Sequence, residues 1–241
     1  MDKNAVYTEK YNLMPLDVDK NGRIKISSLL EMFQDAAGKH TLKFNCDMFS
    51  MAAKNLYWVL VDAKTEMLSE ITIMDEITVV TWPQKSNGVR YYRNFLVKKA
   101  NGEIAVKAQT CWAVLSTETK TIVRGAKTYP DDLKYYDGEE IVFPKEKIAD
   151  FAANSAEKTF KPLYFDLDRN GHVNNAKYAD YALDAAFAAD CPLIKTFKIE
   201  YRREIVFGEE ITEYVERSFD KIKVKGVDEN GEIRFICEIT F

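Results

Sequence analysis

Phe165-Asp166-Leu167-Asp168-Arg169-Asn170-Gly171-His172-Val173-Asn174-Asn175-Ala176-Lys177-Tyr178 decides the fold, because the chain carries this stretch twice. At a constant offset of 149, Asp17, Asp19, Asn21, Gly22, Asp35, Ala36 and Ala37 fall on Asp166, Asp168, Asn170, Gly171, Asp184, Ala185 and Ala186. Asn101-Gly102-Glu103-Ile104 falls on Asn230-Gly231-Glu232-Ile233 at an offset of 129, so the intervening loops differ in length. Self-similarity at a fixed spacing marks a duplicated unit. Each copy puts an Asp-x-Asn-Gly turn directly before a run of apolar residues at helical spacing.

Outward from the turns, the two copies share one order of elements. In the first, residues 7–14 alternate as a strand that Pro15 ends. Leu29, Leu30, Phe33, Ala36 and Ala37 predict an amphipathic helix over 27–40, with Ser28 and Glu31 at capping-box spacing. Strands follow at 56–68, 71–82 (broken near Asp75-Glu76), 89–98 and 103–115, with a hairpin turn at Asn101-Gly102. Residues 125–157 lack sustained periodicity and read as a linker with a short helix near 145–153. The second copy has a strand at 159–164, placed at a sheet edge by Pro162. It continues with a helix at 175–189 and strands at 197–203, 210–217, 221–227 and 233–241. One helix against a curved antiparallel sheet buries both apolar faces, and two such sheets can pair edge to edge. The expectation is an α+β fold with domains at 1–125 and 158–241 and a linker at 126–157.

Composition narrows the function. Apolar residues make up 46% of the 241, enough for a well-packed globule rather than a disordered chain. The net charge of -4 points away from nucleic acid and anionic membranes. Cys46, Cys111, Cys191 and Cys237 lie far apart without a Cys-x-x-Cys pair, which suits reduced thiols in a cytoplasmic protein. No secretion-signal pattern opens the chain, and no apolar run has the length of a membrane span. The two histidines, His40 and His172, are remote in sequence, and no metal-ligand spacing is present. The calcium-loop look of Asp17–Gly22 and Asp166–Gly171 fails at the twelfth loop position, which would be Ser28 or Lys177. Neither a metal nor another cofactor is expected.

The copies differ at one chemically decisive place: His172 stands where the first copy has Arg23. Arginine stays protonated, whereas histidine exchanges a proton near neutral pH. Only the second turn is therefore competent as an acid or base. Asp168 can orient the imidazole or supply a carboxylate. Asn170 and the first free N–H groups of the helix can meet an oxyanion. Asn174 and Asn175 read as helix caps. Glu204, in Glu200-Tyr201-Arg202-Arg203-Glu204, is a second carboxylate; strand alternation would put it on the face of Glu200 and Arg202.

Leu167–Tyr178 and Glu200–Glu204, together with Asn55-Leu56-Tyr57-Trp58-Val59 and Cys111-Trp112-Ala113-Val114, resemble segments of the acyl-acyl carrier protein thioesterases over essentially the whole chain. The resemblance implies a tandem double hot-dog fold, the first domain holding the acyl chain and the second the catalytic residues. It implies hydrolysis of a fatty acyl phosphopantetheine thioester on acyl carrier protein, ending fatty acid synthesis. Asp168, Asn170, His172 and Glu204 match the family's catalytic positions. Where plant members often carry a cysteine after the glutamate, this chain has Ile205, so a cysteine nucleophile is not implied. Glu204 or Asp168 would activate the hydrolytic step, or Asp168 would attack directly to form an anhydride. Met32, Phe33, Trp58, Trp82 and Trp112 are candidate tunnel residues. Lys158, Lys161, Lys198, Arg202 and Arg203 are candidates for meeting the acidic carrier. An acyl-coenzyme A thioesterase, a hot-dog hydroxyacyl thioester dehydratase and a non-catalytic acyl-binding protein stand as alternatives, and a homodimer is compatible with each.

Overall fold

The computed structural model describes residues 5–138, 141–187 and 190–241. Its strands are β1 (Tyr7–Asn12), β2 (Leu56–Met67), β3 (Glu76–Pro83), β4 (Tyr91–Lys99), β5 (Ile104–Ser116), β6 (Ala156–Phe160), β7 (Thr196–Tyr201), β8 (Ile211–Arg217), β9 (Lys221–Asp228) and β10 (Ile233–Thr240). They join one sheet in the order β1-β3-β4-β5-β2-β7-β10-β9-β8-β6. Outward from the central β2–β7 pair, each half runs through its second, fifth, fourth, third and first strand. The order is thus palindromic about the seam, as a duplication requires. The seam is antiparallel, with Ala63 opposite Ile199 and Thr65 opposite Phe197.

Helices α1 (Ile26–Leu42) and α3 (Lys177–Ala186) lie on one face of this sheet and touch each other. A single apolar core spans both halves, with Leu29, Phe33 and Ala36 of α1, Tyr178, Ala182 and Ala185 of α3, and Ile77, Phe95, Ile199, Ile211 and Phe235 beneath them. The Phe33 and Phe95 rings stack at 4.5 Å. Alanines on both helices let the backbones approach, while each large buried side chain contributes about 1.5–3 kcal/mol. The arrangement is a tandem double hot-dog.

Several expectations change. Helix α1 starts at Ile26 with Lys25 at the cap position, so the Ser28–Glu31 capping box is not used; Ser28 is buried in the first turn. Helix α1 continues to Leu42, two residues beyond the expected end. A short helix, α2 (Met48–Ala52), was not foreseen; Asp47 caps it, accepting from the Phe49 and Ser50 N–H groups. The first strand of the second half is Ala156–Phe160, ahead of Pro162, and it does form a sheet edge. Helix α3 ends at Ala186, and positions 188–189 lie outside the described residues.

The linker has no helix near 145–153. It is an extended strap across the outer face of the sheet, and the sheet's own side chains hold it there. Gln109 of β5 donates to the Ile141 carbonyl, and Lys64 of β2 to the Pro144 carbonyl. The Ile148 N–H donates to Glu200 of β7 at 2.6 Å, and Lys225 of β9 reaches Asp150 at 2.7 Å. Ile148 and Phe151 pack on Ile236 of β10. The strap therefore crosses the seam strand by strand. Sheet side chains, rather than helical bonds, satisfy the Ile141 and Pro144 carbonyls and the Ile148 N–H.

Candidate active site

The turn before α3 is built by Asp168. Its Oδ1 accepts from the backbone N–H of Asn170 (2.8 Å) and of His172 (3.2 Å), while its own N–H donates to the His172 carbonyl (2.7 Å). Gly171 takes φ +81°, which glycine adopts without a Cβ penalty. The first half repeats this bond for bond. Asp19 Oδ1 accepts from Asn21 (2.8 Å) and Arg23 (3.0 Å), and the Asp19 N–H donates to the Arg23 carbonyl. The calcium-like spacing of both segments is thereby accounted for as turn architecture.

The divergence lies in the next shell of contacts. The His172 Nε2 is 3.2 Å from Glu204 Oε2, and the two side chains are 33% and 50% exposed, open to a ligand. Arg23 turns back instead, to Asp19 Oδ2 and the Cys191 carbonyl. Glu204 reaches His172 because β7 ends at Tyr201. The Arg202 and Arg203 N–H groups both donate to the Arg234 carbonyl, a bulge that breaks the alternation. Glu200 therefore points to the outer face under the strap, and Glu204 to the opposite side. The expectation that they share a face is corrected.

The first half supplies the wall opposite. Arg169 lies over the Phe49 ring of α2 at 4.9 Å. Burial, and after it the Glu204 carboxylate, raises the pKa of the Tyr57 hydroxyl on β2 above its ordinary value. Tyr57 and Phe49 were not singled out as site residues, although Tyr57 falls in one of the segments that carry the resemblance. Asn170 extends its amide toward Asp168 Oδ2 at 3.4 Å. The cap position of α3 is Ala176, without a side-chain cap bond, so neither Asn174 nor Asn175 caps the helix. Asn174 Oδ1 accepts from the Ala176 N–H at 3.0 Å in a turn ahead of it, and the Asn175 carbonyl accepts from the Tyr201 hydroxyl.

Phe33 and Trp112 border a small apolar void of about 10 Å³ with Leu30, Leu60 and Phe95. The other tunnel candidates go elsewhere. Met32 joins the main core, Trp58 packs edge-on to Tyr91, and Trp82 lies against Tyr136 of the linker. A cleft of about 330 Å³ opens at the Arg23 turn, between Arg23, Glu70 and Ile71 and the far end of α3. The five basic candidates are all paired with carboxylates: Lys158 with Asp184, Lys161 with Glu210, Lys198 and Arg202 with Glu200, Arg203 with Glu232. His40 is buried, its ring 3.1 Å from the Arg93 guanidinium. Burial pushes the Cys46 and Cys111 thiols up to about 12 and Cys237 higher still, so these three are poor thiolates. Ile205 is fully buried.

Solved structures share this fold. An acyl-ACP thioesterase of Bacteroides thetaiotaomicron superposes with a TM-score of 0.88 at 24% identity, covering 98% of each chain. The 12:0-ACP thioesterase of Umbellularia californica gives 0.83 at 20% identity, covering 98% of this chain and 96% of its own. A chloroplastic acyl-[acyl-carrier-protein] hydrolase of Cuphea viscosissima is 26% identical over 220 residues, 83% of this chain and 52% of that protein. A chloroplastic oleoyl-acyl carrier protein thioesterase of Arabidopsis thaliana is 26% identical over 224 residues, 85% of this chain and 61% of that protein. The chain thus spans little more than half the length of these curated relatives. Residues 4–132 match the acyl-ACP thioesterase N-terminal domain and residues 150–239 the C-terminal domain, in that order and over most of the chain. With the paired hot-dog units and the single histidine-bearing turn already in place, these matches establish that the chain belongs to the acyl-ACP thioesterase family.

Proposed function

We propose that the protein hydrolyses fatty acyl thioesters carried on the phosphopantetheine arm of acyl carrier protein, releasing free fatty acid and the carrier thiol. The observation that carries this reading is the His172–Glu204 pair at 3.2 Å, set on a turn whose twin holds Arg23. A carboxylate facing Nε2 keeps the neutral imidazole protonated there, which leaves Nδ1 as the base. Nδ1 takes a proton from water as the water oxygen adds to the acyl carbon. The Asn170 side-chain amide meets the oxyanion, since the Ala176, Lys177 and Ala179 N–H groups at the start of α3 already donate within the chain. The C–S bond then breaks, and the thiolate takes the proton from the imidazolium. Asp168 Oδ1 already accepts two backbone N–H groups, which supports a loop-holding role rather than attack on the acyl carbon.

In this reading the first unit, residues 1–125, receives the acyl chain. Residues 126–157 form the strap, and residues 158–241 carry the chemistry. The unpaired cysteines suit the reducing cytoplasm. Both hot-dog units lie in one chain, so the site requires no second copy.

The test is thiol release from a chain-length series of acyl carrier substrates. His172→Ala and Glu204→Gln are expected to lower kcat about 100-fold or more. Faster turnover of acyl-coenzyme A would favour a coenzyme A thioesterase, an enoyl product a dehydratase, and acyl binding without thiol release a carrier module. Single turnover in oxygen-18 water should label the fatty acid and leave Asp168 unlabelled; label in Asp168 would establish the anhydride route instead.

A further inference from the structure

The two halves can be compared through equivalent hydrogen bonds. Ile24 N–H donates to the Ile71 carbonyl as Val173 N–H does to Ile205. Leu68 and Ser69 N–H donate to the Ala105 carbonyl as Arg202 and Arg203 do to Arg234. Glu70 is therefore the counterpart of Glu204, Ala105 of Arg234 and, through the helix alignment, Leu29 of Tyr178. A glutamate is present in both copies. What only the histidine-bearing copy has is a pair of polar side chains holding the glutamate's own peptide group.

That peptide is gripped at both ends. The Arg234 Nη1 donates to the Glu204 carbonyl at 3.3 Å, and the Ile205 N–H donates to the Tyr178 hydroxyl at 3.1 Å. Each anchor is itself fixed. The Arg234 Nη2 pairs with Asp228 at 2.9 Å and with Glu209, whose other oxygen accepts from the Val206 N–H. Asp228 in turn accepts the Asn230 and Glu232 N–H groups of the β9–β10 turn. Tyr178 is 2% exposed, edge-on to Phe235 and Tyr201. Orienting the peptide plane after Glu204 orients its Cα–Cβ bond, and hence the carboxylate toward His172. Ala105 and Leu29 have no side-chain group that could do this.

We infer that Tyr178 and Arg234 are positioning residues for Glu204, acting through the Glu204–Ile205 peptide and present only in the half that carries the chemistry. This rests on the reading of His172 and Glu204 as the reacting pair. A misplacement of a catalytic group by about 1 Å can cost up to about 100-fold in rate.

The experiment measures kcat and KM for carrier-bound acyl thioester with Tyr178→Phe and Arg234→Lys, each alone and in the Glu204→Gln background. Each single variant is expected to lower kcat about 10-fold with KM within about twofold. Neither should add a loss when Glu204 is already Gln, because both act through that carboxylate. Wild-type kcat in Tyr178→Phe, or an equal further loss in the Glu204→Gln background, overturns the inference while leaving the proposed function standing. Full activity of Glu204→Gln itself would overturn both. If Arg234→Lys fails to fold, Tyr178→Phe, which removes one hydroxyl, decides alone.

Discussion

Asp19 and Asp168 do the same work in two places, and only one of them stands beside a histidine. Each carboxylate accepts two backbone N–H groups of its turn. Replacing either with Ala strands both donors, an expected loss of about 1–3 kcal/mol that chemical denaturation would read. The expected outcomes diverge in activity. Asp168→Ala should also lower kcat, since it frees the main chain of His172, whereas Asp19→Ala should leave kcat unchanged. Equal kinetic effects would deny the turns their division of labour. The contrast of His172 with Arg23 is visible in the residues alone, because a duplicated chain provides its own control. The direction of Glu204 is not. It depends on a bulge whose acceptor, the Arg234 carbonyl, comes from a strand far away in sequence, and alternation along one strand cannot register it.

At the scale of elements, β9 and β10 show how the second half makes room for Tyr178. A Cβ on Gly226 would lie 2.2 Å from the Phe235 ring. Phe235 is fully buried in the main core and meets Tyr178 edge-on, so it has nowhere to retreat. The first half solves the same place with Val97, the register counterpart of Gly226. Gly226→Ala should therefore destabilise by about 1–3 kcal/mol, seen as a lower denaturation midpoint with unchanged slope. A midpoint equal to wild type would mean that the ring moves freely. The order of strands, both main helices and the hairpin turns were legible in periodicity and turn residues. The strap was not, because an extended segment bound by side chains from four strands has no period of its own. The helix start at Ile26 was likewise hidden, since the Asp-x-Asn turn already organises the entry and leaves the capping-box residues unused.

For the whole molecule, one buried carboxyl group stands out. Glu213 on β8 is fully buried, and neither carboxyl oxygen has a hydrogen-bond partner among the described residues. Burial, partly opposed by Lys158 and reinforced by Asp184, pushes its pKa from 4.5 up to about 8. The folded protein therefore keeps a proton that the unfolded chain gives up. Stability from this group is present below pH 4.5 and is lost as pH rises from there to about 8. The slope is about 1.4 kcal/mol per pH unit at most. Glu213→Val, which copies Val79 at the matching register of the first half, should remove this slope. Denaturation midpoints of variant and wild type are expected to converge in mild acid and separate at about pH 8, the variant being the more stable. Parallel midpoints at all pH values would show that Glu213 ionises alike in both states.

The seam of the sheet has a consequence for how the chain is made. Synthesis delivers the first half well before β7 exists, and β2, one of the longest strands, then has an unpaired edge along its β7 side. Such an edge is a template for any extended segment of a neighbouring nascent chain. Hairpins β3–β4 and β4–β5 can close locally, but Ala63 and Ile199 meet only after a long loop is drawn in. The strap leaves the ribosome before β7 and can already seat on Gln109 and Lys64. It is thus the first part of the second half's approach to dock, a tether that raises the local concentration of β7 at the open edge before a stranger can occupy it.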